Sequence, residues 1–370
     1  MIPAISMLLI CLYLALFLYY RKGWRKVKEG NPKGAIGKVK VSVVIAARNE
    51  ADNILRTLDS LDRQSYPKEF FEIIVVDDHS TDHTTEIVLQ RQLINCRLIK
   101  QDTGIFSKKQ AIDKAIHAAT GELILATDAD CTLPPTWIET MAAFYSDHHA
   151  AFIAAPVKLH YGQNFIERFQ SLDFMMLQGI TASGIALDLH YMCNGANLAY
   201  PKKRFAEVNG FEGIDSVATG DDMLLMFKIK KSAPGKIFFL KNQTAMVSTA
   251  PMPTILSFLM QRRRWASKTP VYEDKRLIGI LAFVYFINLW MVVLTVASFF
   301  SMAYLPLALG FLLIKALSEM IFLYPVAQFF NEKKLLKYLF LYQPMHVVYT
   351  VFIGIWSQLG KYEWKGRITK

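Results

Sequence analysis

The chain has 370 residues, 42 basic against 31 acidic for a formal charge of +11, and 53% of its residues are hydrophobic. That apolar content excludes a disordered chain, and 14 prolines and 19 glycines are too few for a collagen-like or low-complexity one. The basic surplus flanks apolar segments and forms no aromatic-interleaved stripe, so the expected partner is anionic membrane lipid and not nucleic acid.

Residues 1–20 carry no charge and are long enough to cross a bilayer; Arg21, Lys22, Arg25, Lys26 and Lys28 follow at once. No basic stretch precedes the apolar run and no small-residue cleavage site follows it, so a retained anchor with a cytoplasmic basic flank is expected. A basic linker, residues 21–37, would lead into a catalytic domain over residues 38–250.

Within that domain apolar strands alternate with helical patterns, the signature of a mostly parallel sheet with crossover helices. A strand is predicted from Val41 to Ala47, followed by a helix carrying Ile54, Leu58 and Leu61. Phe71 to Val76 reads as a second strand ending in Asp77 and Asp78, with a helix from about Thr84 to Leu93. Arg97 to Lys100 is a third strand, Lys109 to Ala119 a helix, and Gly121 to Thr127 a fourth strand closing on Asp128 and Asp130.

Residues 251–275 read as an amphipathic segment at the membrane surface. Residues 276–360 hold about three spans: a closely turned pair, the second reaching about Phe330, and the run from Tyr338 to Gly360, interrupted by Pro344 and His346. The loop with Lys333, Lys334 and Lys337 and the basic tail 361–370 both read as cytoplasmic. One crossing between them cannot satisfy the positive-inside rule, so the Pro344 segment either dips in and returns or one assignment fails.

Ligands of open α/β sheets bind beyond the carboxyl ends of the strands. Here those ends carry Glu50, Asp77, Asp78, Asp128 and Asp130, and neither a G-x-G-x-x-G turn nor a P-loop is present. An acidic rim accepts a nucleotide diphosphate only through a hard cation, and oxygen ligands favour Mg2+ or Mn2+ over zinc. Asp128 and Asp130, two apart, point the same way in extended backbone, although D-x-D alone also fits a solvated turn. His79 and His83 have half-zinc spacing without a third ligand and read as loop histidines.

Taken in order, these motifs resemble the inverting family 2 glycosyltransferases. The strand from Val41 to Glu50, the Val75 to Asp82 segment, Lys108 to Ala111, the D-x-D at Asp128 to Asp130, Gly195-Ala-Asn197, Gly220-Asp-Asp222 and the Q-x-x-R-W of Gln261 to Trp265 carry the resemblance. Ala46 and His79 depart from it, standing where the family often has Pro and Gly.

The resemblance implies a GT-A-type α/β domain, Rossmann-like and binding a nucleotide sugar, flanked by transmembrane helices at both ends. Ala47, Glu50 and Lys108 would line the nucleotide pocket, and Asp77 or Asp78 would accept from the base, which suits uracil. Asp128 would lie by the ribose, Asp130 would hold the metal and Arg264 would pair with the diphosphate. Asp222 would be the general base, with Asp221 beside it or capping the helix. Asn197, Gln261 and Trp265 would face the acceptor.

The expected activity is metal-dependent, inverting transfer from a UDP-sugar to a lipid or lipid-linked glycan acceptor, with the protein in a bacterial inner membrane and its catalytic domain in the cytoplasm. A processive polysaccharide synthase and an inactive nucleotide-sugar-binding membrane protein are the alternatives.

Overall fold

The computed structural model describes residues 1–30, 39–102, 104, 107–214, 220–360, 362–364 and 367–369. The expected start of the catalytic domain at residue 38 falls outside them, as do Lys361, Lys365 and Lys370 of the tail.

The helices are α1 (Ile2–Lys26), α2 (Ile54–Asp62), α3 (Thr84–Arg91), α4 (Lys108–Ala118), α5 (Trp137–His148), α6 (Phe165–Ala186), α7 (Lys202–Glu207), α8 (Asp221–Ser232), α9 (Ile255–Ala266), α10 (Lys275–Phe300), α11 (Leu305–Phe329) and α12 (Leu339–Trp356). The strands are β1 (Val41–Ala47), β2 (Phe71–Asp77), β3 (Cys96–Lys100), β4 (Leu123–Ala126), β5 (Phe152–Ala154), β6 (Val157–Leu159), β7 (Leu198–Pro201), β8 (Ile237–Phe239), β9 (Val247–Thr249), β10 (Tyr362–Trp364) and β11 (Arg367–Thr369).

They fall into two compact units. One comprises Val27–His160 and Tyr191–Ala250, the other Met1–Lys26, Tyr161–His190 and Pro251–Lys370. Residues 161–190 therefore group with the apolar helices, and the expected continuous domain over residues 38–250 is interrupted.

The first unit is built on a seven-stranded sheet of order β3-β2-β1-β4-β7-β5-β8. β1, β2, β3 and β4 run parallel, with Ala47 opposite Asp77 and Val44 opposite Ala126. β7 runs antiparallel to both β4 and β5. The carboxyl ends of β1, β2 and β4 and the start of β7 thus share one rim. Nearly every residue of β1, β2 and β4 is buried, as in a parallel sheet covered on both faces. A small second sheet pairs β6 with β9, Leu159 opposite Thr249.

Among the described residues, the second unit holds four helices long and apolar enough to cross a membrane. α1 and α11 run parallel: Tyr13 donates to Glu319 at 2.7 Å, Phe17 meets Phe322, and Trp24 meets Phe329. α10 runs antiparallel to α1, with Phe283 against Tyr13 and Trp290 donating to Ser6 at 2.9 Å. α1 continues through the basic flank to Lys26, beyond the expected limit at residue 20, because Arg25 and Lys26 suit the negative end of a helix. α11 ends at Phe329, close to the expected Phe330.

Candidate active site

The loops after β1 and β2 fix each other. The Ala47 carbonyl accepts from Asp78 N at 2.7 Å, Arg48 donates to the Asp78 carbonyl at 2.9 Å, and the Asn49 side chain takes the Thr81 amide at 2.8 Å. Glu50 is anchored through its amide to Thr84 Oγ1 at 2.8 Å and through its carboxylate to Asn53. Asn49 and His79 adopt φ of 52° and 60°, so His79 takes the left-handed backbone that a glycine would adopt without strain. Asp77 and Asp78 are both buried at the strand end.

At the end of β4, Thr127 Oγ1 donates to the Ala196 carbonyl at 2.9 Å, tying the D-x-D loop to the Gly195 loop. Lys108, the first residue of α4, reaches across to Asp128 at 2.6 Å and to Asp221 at 3.9 Å. Burial disfavours its charge, but Asp128, Asp221 and Asp222 outweigh that and hold the ammonium well above its ordinary range.

Asp222 sits in the first turn of α8, behind Gly220, whose φ of 83° turns the chain into the helix. Its Oδ2 accepts from Gly195 N at 2.9 Å and its Oδ1 from Met223 N at 2.8 Å. A methyl group at Gly195 would lie 3.6 Å from both Asp222 Oδ2 and Lys108 Nζ. Lys108, Asp128, Asp221, Asp222 and the Gly195 backbone therefore converge on one corner of the rim.

Asp130 accepts from Thr249 Oγ1 at 3.2 Å. Burial pushes its carboxyl above the usual carboxylate range, and the neighbouring Asp128 and Glu50 charges push it further. Among the described residues no three His, Cys, Asp or Glu side chains gather into a ready-made metal cage. A half-buried carboxyl crowded by two others still fits a hard cation, provided a bound diphosphate completes the ligand set. Thr249 had no local signal in the sequence, since it reaches Asp130 through tertiary pairing, the backbone of Ser248 bridging that of Thr132 just past the D-x-D.

Asn197 corrects an expectation. It is fully buried; its Oδ1 accepts from Trp137 Nε1 at 2.9 Å, and its Nδ2 donates to the Pro156 and Ala245 carbonyls at 2.8 Å each. With those groups engaged inside the domain it has no face for an acceptor, and it is a bracket holding α5 and the turns that lead into β6 and β9 around the start of β7.

Gln261, Arg264 and Trp265 lie on α9, in the unit of apolar helices. Arg262 pairs with Asp173 of α6 at 2.6 Å and its guanidinium lies 4.4 Å from the Trp265 ring, while Trp265 also packs against Phe174. Arg263 donates to the Leu359 carbonyl and lies 4.6 Å from the Trp356 ring. Two of the three arginines and the tryptophan thus hold helices together, and Arg264 is partly exposed.

Residues 42–205 match the family described as Glycosyl transferase family 2. Poly(ribitol-phosphate) beta-N-acetylglucosaminyltransferase TarS of Staphylococcus aureus is 32% identical over 121 residues, 32% of this chain and 21% of its own length. Beta-monoglucosyldiacylglycerol synthase of Nostoc is 24% identical over 236 residues, 61% of this chain and 48% of its own. The chain thus spans between a fifth and about half of the length of these curated relatives. Among solved structures, the mannosyltransferase PcManGT of Pyrobaculum calidifontis, in complex with GDP-Man and Mn2+, superposes with a TM-score of 0.62 at 19% identity, covering 97% of this chain and all of that one. The fold is that of a GT-A-type glycosyltransferase.

Proposed function

Given that residues 42–205 form a family 2 glycosyltransferase domain, we propose that this chain transfers a sugar, with inversion, from a nucleotide-diphosphate donor to a lipid or lipid-linked acceptor. The observation that carries the reading is the corner where the Asp222 carboxylate, held at 2.9 Å by Gly195 N, faces Lys108 and Asp128.

Asp222 is the base. It takes the proton of the acceptor hydroxyl as that oxygen attacks the anomeric carbon from the face opposite the leaving group, and the bond from that carbon to the diphosphate oxygen breaks. Its two backbone N–H contacts fix the carboxylate's direction, so no reorientation is needed at the moment of transfer. Lys108 keeps Asp128 and Asp221 from driving the donor away electrostatically. Asp77 or Asp78 takes the base of the nucleotide, and Ala47 and Glu50 line its pocket.

Asp130 would hold Mg2+ or Mn2+, which when bound offsets charge on the departing diphosphate. Arg264 is assigned to the same diphosphate, and Gln261 and Trp265 to the acceptor. UDP is the first donor base to test, with GDP beside it. The lipid acceptor is supported by the four long apolar helices and by a relative named for a glycolipid product. The basic residues at the end of α1, Arg21, Lys22, Arg25 and Lys26, support an inner-membrane protein with its catalytic domain in the cytoplasm.

The test is release of nucleoside diphosphate from UDP- and GDP-sugars by the purified chain with membrane lipid extract, with Mg2+ or Mn2+ and with chelator. Metal-dependent release from one donor, absent in Asp222→Asn, supports the reading. Failure of every donor to bind overturns it.

A further inference from the structure

α12 is long and apolar enough to cross a membrane, but its contacts run across the other helices and not along them. The level of Tyr13 serves as a marker of depth. Glu319 of α11 and Phe283 of α10 both meet Tyr13, so these three positions lie at one height in the helix bundle. Near its start, α12 touches that level: Gln343 accepts from Lys315 at 2.7 Å and donates to Glu319. Near its end it touches the same level again, because a methyl group at Gly354 would fall 2.2 Å from Tyr285, two residues on from Phe283.

About 16 Å of helix axis separates Gln343 from Gly354. A helix upright beside α10 would place Gly354 near Leu294, a turn beyond Trp290 and its partner Ser6, or below the first turn of α10. It does neither.

The two ends give the same answer. α12 begins after α11 has ended at the level of Trp24. Its other end is held by Arg263, which donates to the Leu359 carbonyl and lies 4.6 Å from the Trp356 ring. Arg263 belongs to α9, which leads directly into the start of α10, and α10 runs antiparallel to α1. The start of α10 and the end of α11 are on the same side, that of the Arg21 to Lys28 flank.

We infer that α12 does not cross the membrane: it lies along the membrane plane among α6, α9, α10 and α11, and returns the chain to the side it left. The chain then spans three times, through α1, α10 and α11. The in-plane course accounts for the polar side chains of α12, since Tyr349 donates to Asp173 at 2.8 Å and Gln343 joins the Lys315 and Glu319 pair. It also places the Lys333 to Lys337 turn and the basic tail on one side, which removes the charge conflict that a fourth span creates.

The inference is independent of sugar transfer and is read without activity. Epitope tags are placed in the full chain after Ser301, after Asn331 or after Lys370, and each variant is probed with antibody in intact and in permeabilised spheroplasts. The Asn331 and Lys370 tags should behave alike and opposite to the Ser301 tag. A Lys370 tag that behaves like the Ser301 tag overturns the inference. As a second readout that leaves the loops intact, Gln358→Cys and Ala303→Cys are compared with the parent chain for labelling by a membrane-impermeant maleimide. The two should label from opposite sides, and labelling of both from the same side overturns the inference.

Discussion

Asp222 Oδ2 and Gly195 N meet at 2.9 Å, joining the first turn of α8 to the loop that enters β7. The bond fixes one carboxylate at a corner where Lys108 stands 2.6 Å from Asp128, and it gives the base assignment a structural handle. Asp222→Asn keeps the shape and can still accept the Gly195 N–H, but it cannot take a proton. Turnover should fall by about 10²–10⁴-fold, with donor affinity, measured by calorimetry, little changed. A mutant turning over at the parent rate removes Asp222 from that role.

Lys108→Met leaves Asp128, Asp221 and Asp222 facing one another without their shared cation. Stability should drop by about 1–3 kcal/mol, less than for a fully buried pair because solvent reaches Asp128. The double variant Lys108→Met with Asp128→Asn should recover part of that loss. Chemical unfolding of the single and double variants measures the coupling.

Asn197→Ala strands the Trp137 indole N–H and two backbone carbonyls in the interior. The expected loss is about 2–4 kcal/mol, several unmade hydrogen bonds in one place. A change in acceptor KM at unchanged thermal stability would return Asn197 to the acceptor side.

His190 carries the pH prediction. Burial holds its imidazole down at about 4, with Asp274 opposing and Arg276 adding to the effect. The unfolded chain therefore binds this proton more readily than the folded one. The stability that neutral His190 contributes is complete above about pH 6.5 and is lost as pH falls toward 4, by roughly 3 kcal/mol in all. Thermal unfolding in detergent between pH 4.5 and 7.5 should show that decline, flattened in His190→Gln.

Much of the sheet was legible because β1 and β2 are short runs rich in Val and Ile that stop at polar punctuation, and the strand from Val41 to Ala47 matches its predicted limits. β4 is shorter than expected, running only from Leu123 to Ala126. α6 went unread: Glu167, Arg168 and Asp173 break its apolar character, and its partners, among them Arg262 and Tyr349, come from distant sequence. The acidic residues of the rim stood out one by one, whereas the bridge that Lys108 makes between Asp128 and Asp221 is a product of tertiary folding. Asn197 shows the opposite failure, since a short motif carries no sign of which way its side chain points.

The excursion of residues 161–190 out of the sheet-bearing unit bears on how the chain can be made and cut. The polypeptide passes between the units at Lys26 and Val27, His160 and Tyr161, His190 and Tyr191, and Ala250 and Pro251. During synthesis β1 to β6 emerge before α6, and the sheet gains β7 only afterwards. Neither unit is a contiguous stretch that a protease or a truncated gene could release whole. A fragment ending at Ala250 carries α6 without α9, α11 and α12, and thus without Arg262 for its buried Asp173. Such a fragment should aggregate as it leaves the ribosome, because the cover for that helix lies in the last third of the chain.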